Sequence, residues 1–244
     1  MSSTSSASTA PTGNSLLDAL EAGEYAQLLE GAERLELKLR EVLYEANAPI
    51  THVYFLIRGV ASIIAPVGDG TSVEVGTVGR EGFVGLPLLF GVDREAAKAF
   101  VQVADGALRV TAATFQNAIA ESTALRALLL RYAQSYLSQV SQSSACNRAH
   151  SIEERCARWL LMTHDRVGAD EFPLTHEFLS FMLGVRRAGV TVAAGILQKA
   201  GLIDYTHGRI TIVDRVGLEG AACACYGIIR DSYNGVSPPF RPNG

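Results

Sequence analysis

The stretch THEFLSFMLGVRRAGVTVAAGILQKAGLI, residues 175–203, decides how the chain is read. Gly and Val are mediocre helix formers, so a constraint other than local stability set this composition. Thr175 suits the N-cap of a short helix that stops at Gly184, and a second helix begins almost at once. Two helices joined by a turn of three or four residues form a helix-turn-helix. Leu179, Leu183, Val185, Val190, Ala193 and Leu197 fall on one shared inner face, leaving Arg186, Arg187, Ala188, Thr191, Val192 and Gly195 outward. That outer face is small and flat with arginines at its N-terminal end, a shape that slides into a DNA major groove.

The next segment fits the same reading. LIDYTHGRITIVD, 202–214, is two alternating runs around a turn, a hairpin carrying His207 and Arg209 at its tip. Such a wing suits phosphate contact beside a reading helix. The candidate DNA-contacting set is therefore Thr175, Arg186, Arg187, Ala188, Thr191, Val192, His207 and Arg209.

Upstream, SIEE at 151–154 matches a capping box, so a helix starts there and the junction at 148–150 is a domain boundary. Before it, residues 122–150 contain neither Gly nor Pro and carry two apolar stripes at helical spacing. Leu125, Leu129, Tyr132 and Tyr136 form one, expected to pair two copies of the chain; Leu130, Ala133, Leu137 and Val140 form the other. Residues 33–111 differ in character: VYFLIRGVASIIA, TSVEVGTVG and AFVQVADGALRVTA are short alternating runs, with Asp-Gly pairs at 69/70 and 105/106 read as hairpin turns. This predicts an antiparallel β-roll or sandwich. The fold class is α+β: a disordered tail at 1–14, a jelly-roll-like sensor domain at 15–121, a dimerisation helix at 122–149, a winged helix-turn-helix domain at 150–231 and a disordered tail at 232–244.

Composition narrows the function. The 244 residues carry a net charge of -4, which argues against a generic polyanion binder and makes any nucleic-acid site local. The start, MSSTSSASTAPTGNS, lacks a basic n-region and an apolar h-region, and no apolar run reaches the ~18 residues of a membrane span. A cytoplasmic location with no membrane partner is expected. Cys146, Cys156, Cys223 and Cys225 make no disulfide framework. Cys223 and Cys225 are expected on different sides of one helix, as small buried hydrophobes, so neither a metal nor a cofactor is expected. The histidines at 52, 150, 164, 176 and 207 are scattered and no catalytic constellation stands out, so an enzyme is not expected.

A Gly-punctuated β-roll, a long helix, a capped hinge and a winged helix-turn-helix, in this order over residues 25 to 230, resemble the Crp/Fnr transcription regulators. VYFLIRGVASI at 53–63 resembles the family's strand-turn segment, and 175–203 its DNA-reading unit. The resemblance implies a homodimer on an inverted-repeat operator in double-stranded DNA, with RNA polymerase as a candidate further partner. In the members that bind cyclic AMP, a cassette beginning G-E-L supplies a glutamate for the ribose, and an Arg-Ser pair clamps the phosphate. Here Gly82, Phe83, Val84 and Gly85 stand at the cassette, Ala97 and Lys98 at the clamp, and Ser141 where the long helix would meet the base. Both polar anchors are missing, so the pocket is expected to be degenerate, its interior around Phe83, Leu86, Leu88 and Leu89 filled by its own side chains, and cyclic AMP is not expected to bind. The family's iron-sulfur and haem ligands are also missing, since no cysteine precedes residue 146 and the β-region holds His52 alone. The alternative is a ligand-binding regulatory subunit that never touches DNA.

Overall fold

The computed structural model describes residues 11–68, 71–234 and 236. After a short helix α1 (Ala22–Leu28) the chain builds eight strands: β1 (Glu33–Glu36), β2 (Val42–Tyr44), β3 (His52–Leu56), β4 (Val60–Gly68), β5 (Thr71–Val78), β6 (Phe83–Val84), β7 (Lys98–Val103) and β8 (Gly106–Thr111). They form two four-stranded antiparallel sheets, ordered β1-β8-β3-β6 and β2-β7-β4-β5. Val53, Phe55, Ala61, Phe83 and Val101 are buried between them and against the helices.

The Asp105-Gly106 pair is not a hairpin turn. It connects β7 in one sheet to β8 in the other, because the roll must pass the chain between its layers there. Gly59 is held by the same crossover: a Cβ on it would lie 2.9 Å from the Val103 carbonyl oxygen. The 69/70 pair lies outside the described residues, although β4 and β5, which flank it, do pair.

The long helix forms as expected. After α2 (Ala112–Glu121), Ser122 caps α3 (Thr123–Ala149) by accepting the Leu125 N–H at 3.0 Å. The stripe expected to pair two copies faces inward instead, and Ala133 and Val140 of the other stripe pack inward with it. Leu125, Leu129, Tyr132 and Tyr136 are buried in their own chain against the roll, where Tyr132 donates to the Phe83 carbonyl at 3.3 Å. Gly76 and Gly82 admit these rings: a Cβ on Gly82 would lie 2.0 Å from Tyr132, and one on Gly76 2.5 Å from the Tyr136 hydroxyl. Leu130 and Leu137 stay exposed.

Ser151 and Glu154 close the capping box that starts α4 (Ile152–Val167). Then come β9 (Glu171–Pro173), α5 (His176–Leu183), α6 (Arg187–Lys199), β10 (Ile203–Thr206), β11 (Arg209–Ile212), α7 (Arg215–Ala221) and α8 (Cys225–Ser232). The three short strands make one sheet, β10-β11-β9. Cys223 and Cys225 do not share a helix: α7 ends before the first, and the second opens α8, so both are buried beside Cys146.

Two expected tail boundaries move. Asn14 is buried, its amide donating to the carbonyls of Leu56 and Gly82 at 2.9 and 2.8 Å and its oxygen accepting from Leu16 and Leu17. At the other end Tyr233 is buried and donates to Gln139 at 3.2 Å. Residues 1–10, 235 and 237–244, where the rest of the two expected tails falls, lie outside the described set.

The domain that begins at α4 is seated on the roll. Arg166 of α4 pairs with Glu81 of the β5–β6 turn at 2.8 Å, with both side chains at most 5% exposed. Its other nitrogens donate to Gln139 of α3 at 2.7 Å and to the Met162 carbonyl at 3.1 Å, while Gln139 donates to the Thr77 carbonyl at 2.9 Å. Removing one partner leaves a buried charge uncompensated, so Arg166→Leu is expected to lower unfolding free energy by about 3–5 kcal/mol in urea titrations. Glu81→Gln added to it should recover part of that loss.

Candidate nucleic-acid interface and effector cavity

Thr175 caps α5 by accepting the Phe178 N–H at 3.1 Å, and Gly184 ends it in the left-handed region at φ 63°. Arg186 occupies the N-cap position of α6 without a side-chain cap. Leu179, Leu183, Val190, Ala193 and Leu197 are buried and Val185 half-buried, as the shared inner face requires. Arg186, Arg187, Ala188, Thr191 and Val192 are exposed and Gly195 half-exposed. Ile196 and Lys199 extend this outer face, on the same helical periodicity carried one turn further.

The wing follows immediately. Thr206 pairs with Arg209 across a two-residue turn in which His207 and Gly208 both have positive φ, 51° and 75°. Primed turns of this kind match strand twist and favour Gly in one of the two places. Arg209 is ion-paired with Glu171 of β9, both about half exposed. His176, which sequence reasoning leaves among scattered histidines, joins the parts: its ring stacks on Tyr205 of the wing at 4.2 Å, and Nδ1 lies 3.2 Å from the Thr191 hydroxyl on α6. Burial, and then the charge of Arg187, push its pKa below the ordinary imidazole value. Residues 15 apart in sequence offer no local signal for this contact.

A cavity of about 430 Å³ opens between the roll and α3, a volume in the range of small-molecule sites. The expectation of a filled interior is therefore overturned: Leu88 and Leu89 pack into the core, while Phe83, Val84, Gly85 and Leu86 form cavity wall with Tyr132 and Tyr136 opposite. Gly85 adopts φ 110°, which a side chain would strain. Lys98 and Ala97 do not reach this space. Lys98 pairs with Glu45 at 3.1 Å on the far side of the sheet, and Ala97 is buried. Ser141 lies on the exposed side of α3 and does not line the cavity. The charged liners are Arg94, which donates to the Asn47 carbonyl at 2.8 Å, and Glu95, which accepts from Tyr44 at 2.9 Å. Burial and then Glu95 hold the Tyr44 hydroxyl far above its ordinary pKa.

The helix-turn-helix meets the roll through Phe178, edge-on to Phe100 with centroids 6.1 Å apart, and through Trp159, whose indole N–H donates to Glu74 at 3.0 Å. No single helix among the described residues is long and apolar enough to cross a membrane.

Comparison with known proteins supports both halves. Residues 34–122 match the model of the cyclic nucleotide-binding domain, and residues 154–221 that of the Crp-like helix-turn-helix domain. The chain belongs to the Crp/Fnr family. It is a DNA-binding transcription regulator of that type. The fold is similar to that of a protein from Eubacterium rectale assigned to the crp/fnr family of transcriptional regulators: TM-score 0.65, 17% identity, 84% of this chain and 96% of that one. It is also similar to a CRP/FNR-family transcriptional regulator from Thermus thermophilus, with TM-score 0.63, 21% identity and coverage of 78% and 98%. A third structure, the c-di-GMP-responsive global regulator CLP of Xanthomonas campestris, gives TM-score 0.59, 19% identity and coverage of 79% and 99%. At these identities the likeness is one of fold. No curated protein matches the sequence significantly.

Burial raises Glu74 to about 7, even though Ser62, Trp159, Arg158 and Arg166 favour its charged form. In the fold it holds a proton that the unfolded chain, at 4.5, has released. Its contribution is complete below pH 4.5 and is lost as pH rises through about 7. Glu74→Gln is therefore expected to gain stability relative to wild type across that window, by on the order of 3 kcal/mol. Denaturation midpoints at a series of pH values check this, and a pH-independent difference would show that Glu74 is already charged.

Proposed function

We propose that the chain acts as a homodimer that reads an inverted-repeat operator through α6 and is governed by an effector other than a cyclic mononucleotide. The observation that carries this reading is the outer face of α6: Arg187, Ala188, Thr191 and Val192 exposed together beside the wing, on a helix whose other side is buried. Arg187 leads the face and is assigned to a base edge, most suitably guanine, with Thr191 and Val192 against thymine methyls. Arg187→Ala should cost about 1–3 kcal/mol of discrimination at one base pair. Arg209 and His207 are assigned to backbone phosphate, Arg209 exchanging Glu171 for it. Arg209→Ala should then weaken all sequences alike and flatten the salt dependence by about one ion. Band-shift titrations on operator and scrambled DNA at several salt concentrations separate the two roles. No retardation with any genomic fragment would favour a ligand-binding subunit that leaves DNA alone.

The pairing surface moves to the exposed side of α3. Ala127, Leu130, Gln134, Leu137, Ser141 and Ser144 follow one another at alternating steps of three and four, the spacing of a two-helix seam, and all six are exposed. Two such chains would set their reading helices about one DNA turn apart, roughly 34 Å. Glu at both Leu130 and Leu137 is expected to yield a monomer by sedimentation without loss of helix content. A dimer surviving in that variant would place the interface elsewhere.

The cavity argues against a cyclic nucleotide on two counts. Phe83 stands where the resemblance places the ribose acceptor, and Glu95 stands beside Arg94, so a phosphate would meet a carboxylate with the guanidinium. A mainly apolar or planar molecule fits better. Calorimetry is expected to detect no micromolar binding of cyclic AMP or cyclic GMP; binding that also strengthened the operator complex would show that Arg94 supplies a clamp. RNA polymerase contact and a cytoplasmic location follow from the regulatory reading and rest on it.

A further inference from the structure

A second cluster lies away from both the cavity and the reading face. Cys146 is in the last turn of α3, His150 is the residue that caps that helix, and Cys223 and Cys225 bracket the start of α8. One ligand atom from each of the four lies within 4.8 Å of all the others. Cys146 and Cys223 sulfurs are 3.4 Å apart, and Cys225 Sγ is 3.6 Å from His150 Nδ1. A tetrahedral zinc site with bonds of about 2.3 Å to sulfur has ligand-to-ligand edges of about 3.8 Å. Contacts this short hold one ion and leave no room for a multi-iron cluster. The three sulfurs are buried, no pair of them forms a disulfide, and they form a cluster separate from the main core.

The surroundings fit an anionic complex. Arg155 and Arg158 on α4 are both buried, each has an Nε–H without an acceptor, and both interact electrostatically with Cys146. Three thiolates and a neutral imidazole around a divalent ion carry one net negative charge, which two guanidiniums beside it offset.

We propose that Cys146, His150, Cys223 and Cys225 form a structural site for one soft divalent ion, zinc by geometry and ligand type. On binding, the three thiols release their protons to solvent and four metal–ligand bonds form, with no change in oxidation state. The ion fastens the end of α3 to α8 directly beside the junction between α3 and α4. It thereby fixes the angle at which the DNA-reading domain leaves the long helix.

The test uses the full chain, reduced, stripped with chelator and titrated with Co²⁺. One equivalent is expected to bind, giving sulfur-to-cobalt charge transfer in the near ultraviolet and strong tetrahedral bands in the red, both abolished by one equivalent of Zn²⁺. Elemental analysis of protein purified without chelator should find about one zinc per chain. Cys223→Ser and Cys225→Ser should each weaken Co²⁺ binding at least tenfold, whereas Cys156→Ser, a buried cysteine outside the cluster, should leave the spectrum unchanged. His150→Cys should retain binding with stronger charge transfer. The proposal is overturned if the wild type shows no tetrahedral bands, if the bands persist in both Cys→Ser variants, if the visible spectrum is that of an iron-sulfur cluster, or if the reduced chain binds nothing and reoxidises to a Cys146–Cys223 disulfide. The wild-type arms decide without any variant having to fold.

Discussion

The arrangement of the molecule depends on one buried ion pair. Arg166 and Glu81 come from α4 and from the β5–β6 turn, and Gln139 of α3 completes the group, so three segments far apart in sequence meet at one guanidinium. A buried pair of this kind gives little net stability over a well-packed apolar alternative, because both charges lose their water. What it supplies is direction. A planar guanidinium with fixed donor positions accepts few orientations of its partners, and here those partners are the roll and the long helix.

Around that pair the DNA-reading unit is held to the roll by contacts of mixed character. Phe178 on Phe100 is apolar and tolerant of small shifts, whereas the Trp159 indole on Glu74 is directional and sensitive to protonation. The cavity lies on the other side of α3's contact with the roll, walled by Tyr132 and Tyr136. The cavity and the reading unit therefore both bear on the long helix, the first through Tyr132 and Tyr136 and the second through Gln139.

Much of this is legible in the residues, and the failures have physical causes. Local chemistry reads correctly wherever it acts within a few residues: the Ser151–Glu154 capping box, the Thr175 cap, the Gly184 stop and the His207-Gly208 turn. The outward face of α6 follows from periodicity alone. Long-range choices do not. Both stripes of α3 are apolar, and the one that turns wholly inward is received by Gly76 and Gly82, which admit tyrosine rings from fifty or more residues away. Asp105-Gly106 has the composition of a hairpin, but strand order makes it a crossover between sheets. The Cys223/Cys225 pair misleads because its neighbours suit one continuous helix, whereas Ala222 breaks that helix in extended conformation. The cavity goes unseen because volume left over between two packed layers has no signature in either layer's sequence.

Tyr132 and Tyr136 seat α3 on the roll at Gly82 and Gly76, and the same two rings wall the cavity. Between Tyr136 and the end of the helix at Ala149 lies a stiff arm of about 20 Å. A tilt of about 5° at the rings moves the far end of such an arm by nearly 2 Å. Gly76 and Gly82 therefore set the direction in which the long helix leaves the roll, and the Gln139–Thr77 hydrogen bond beyond them holds it there.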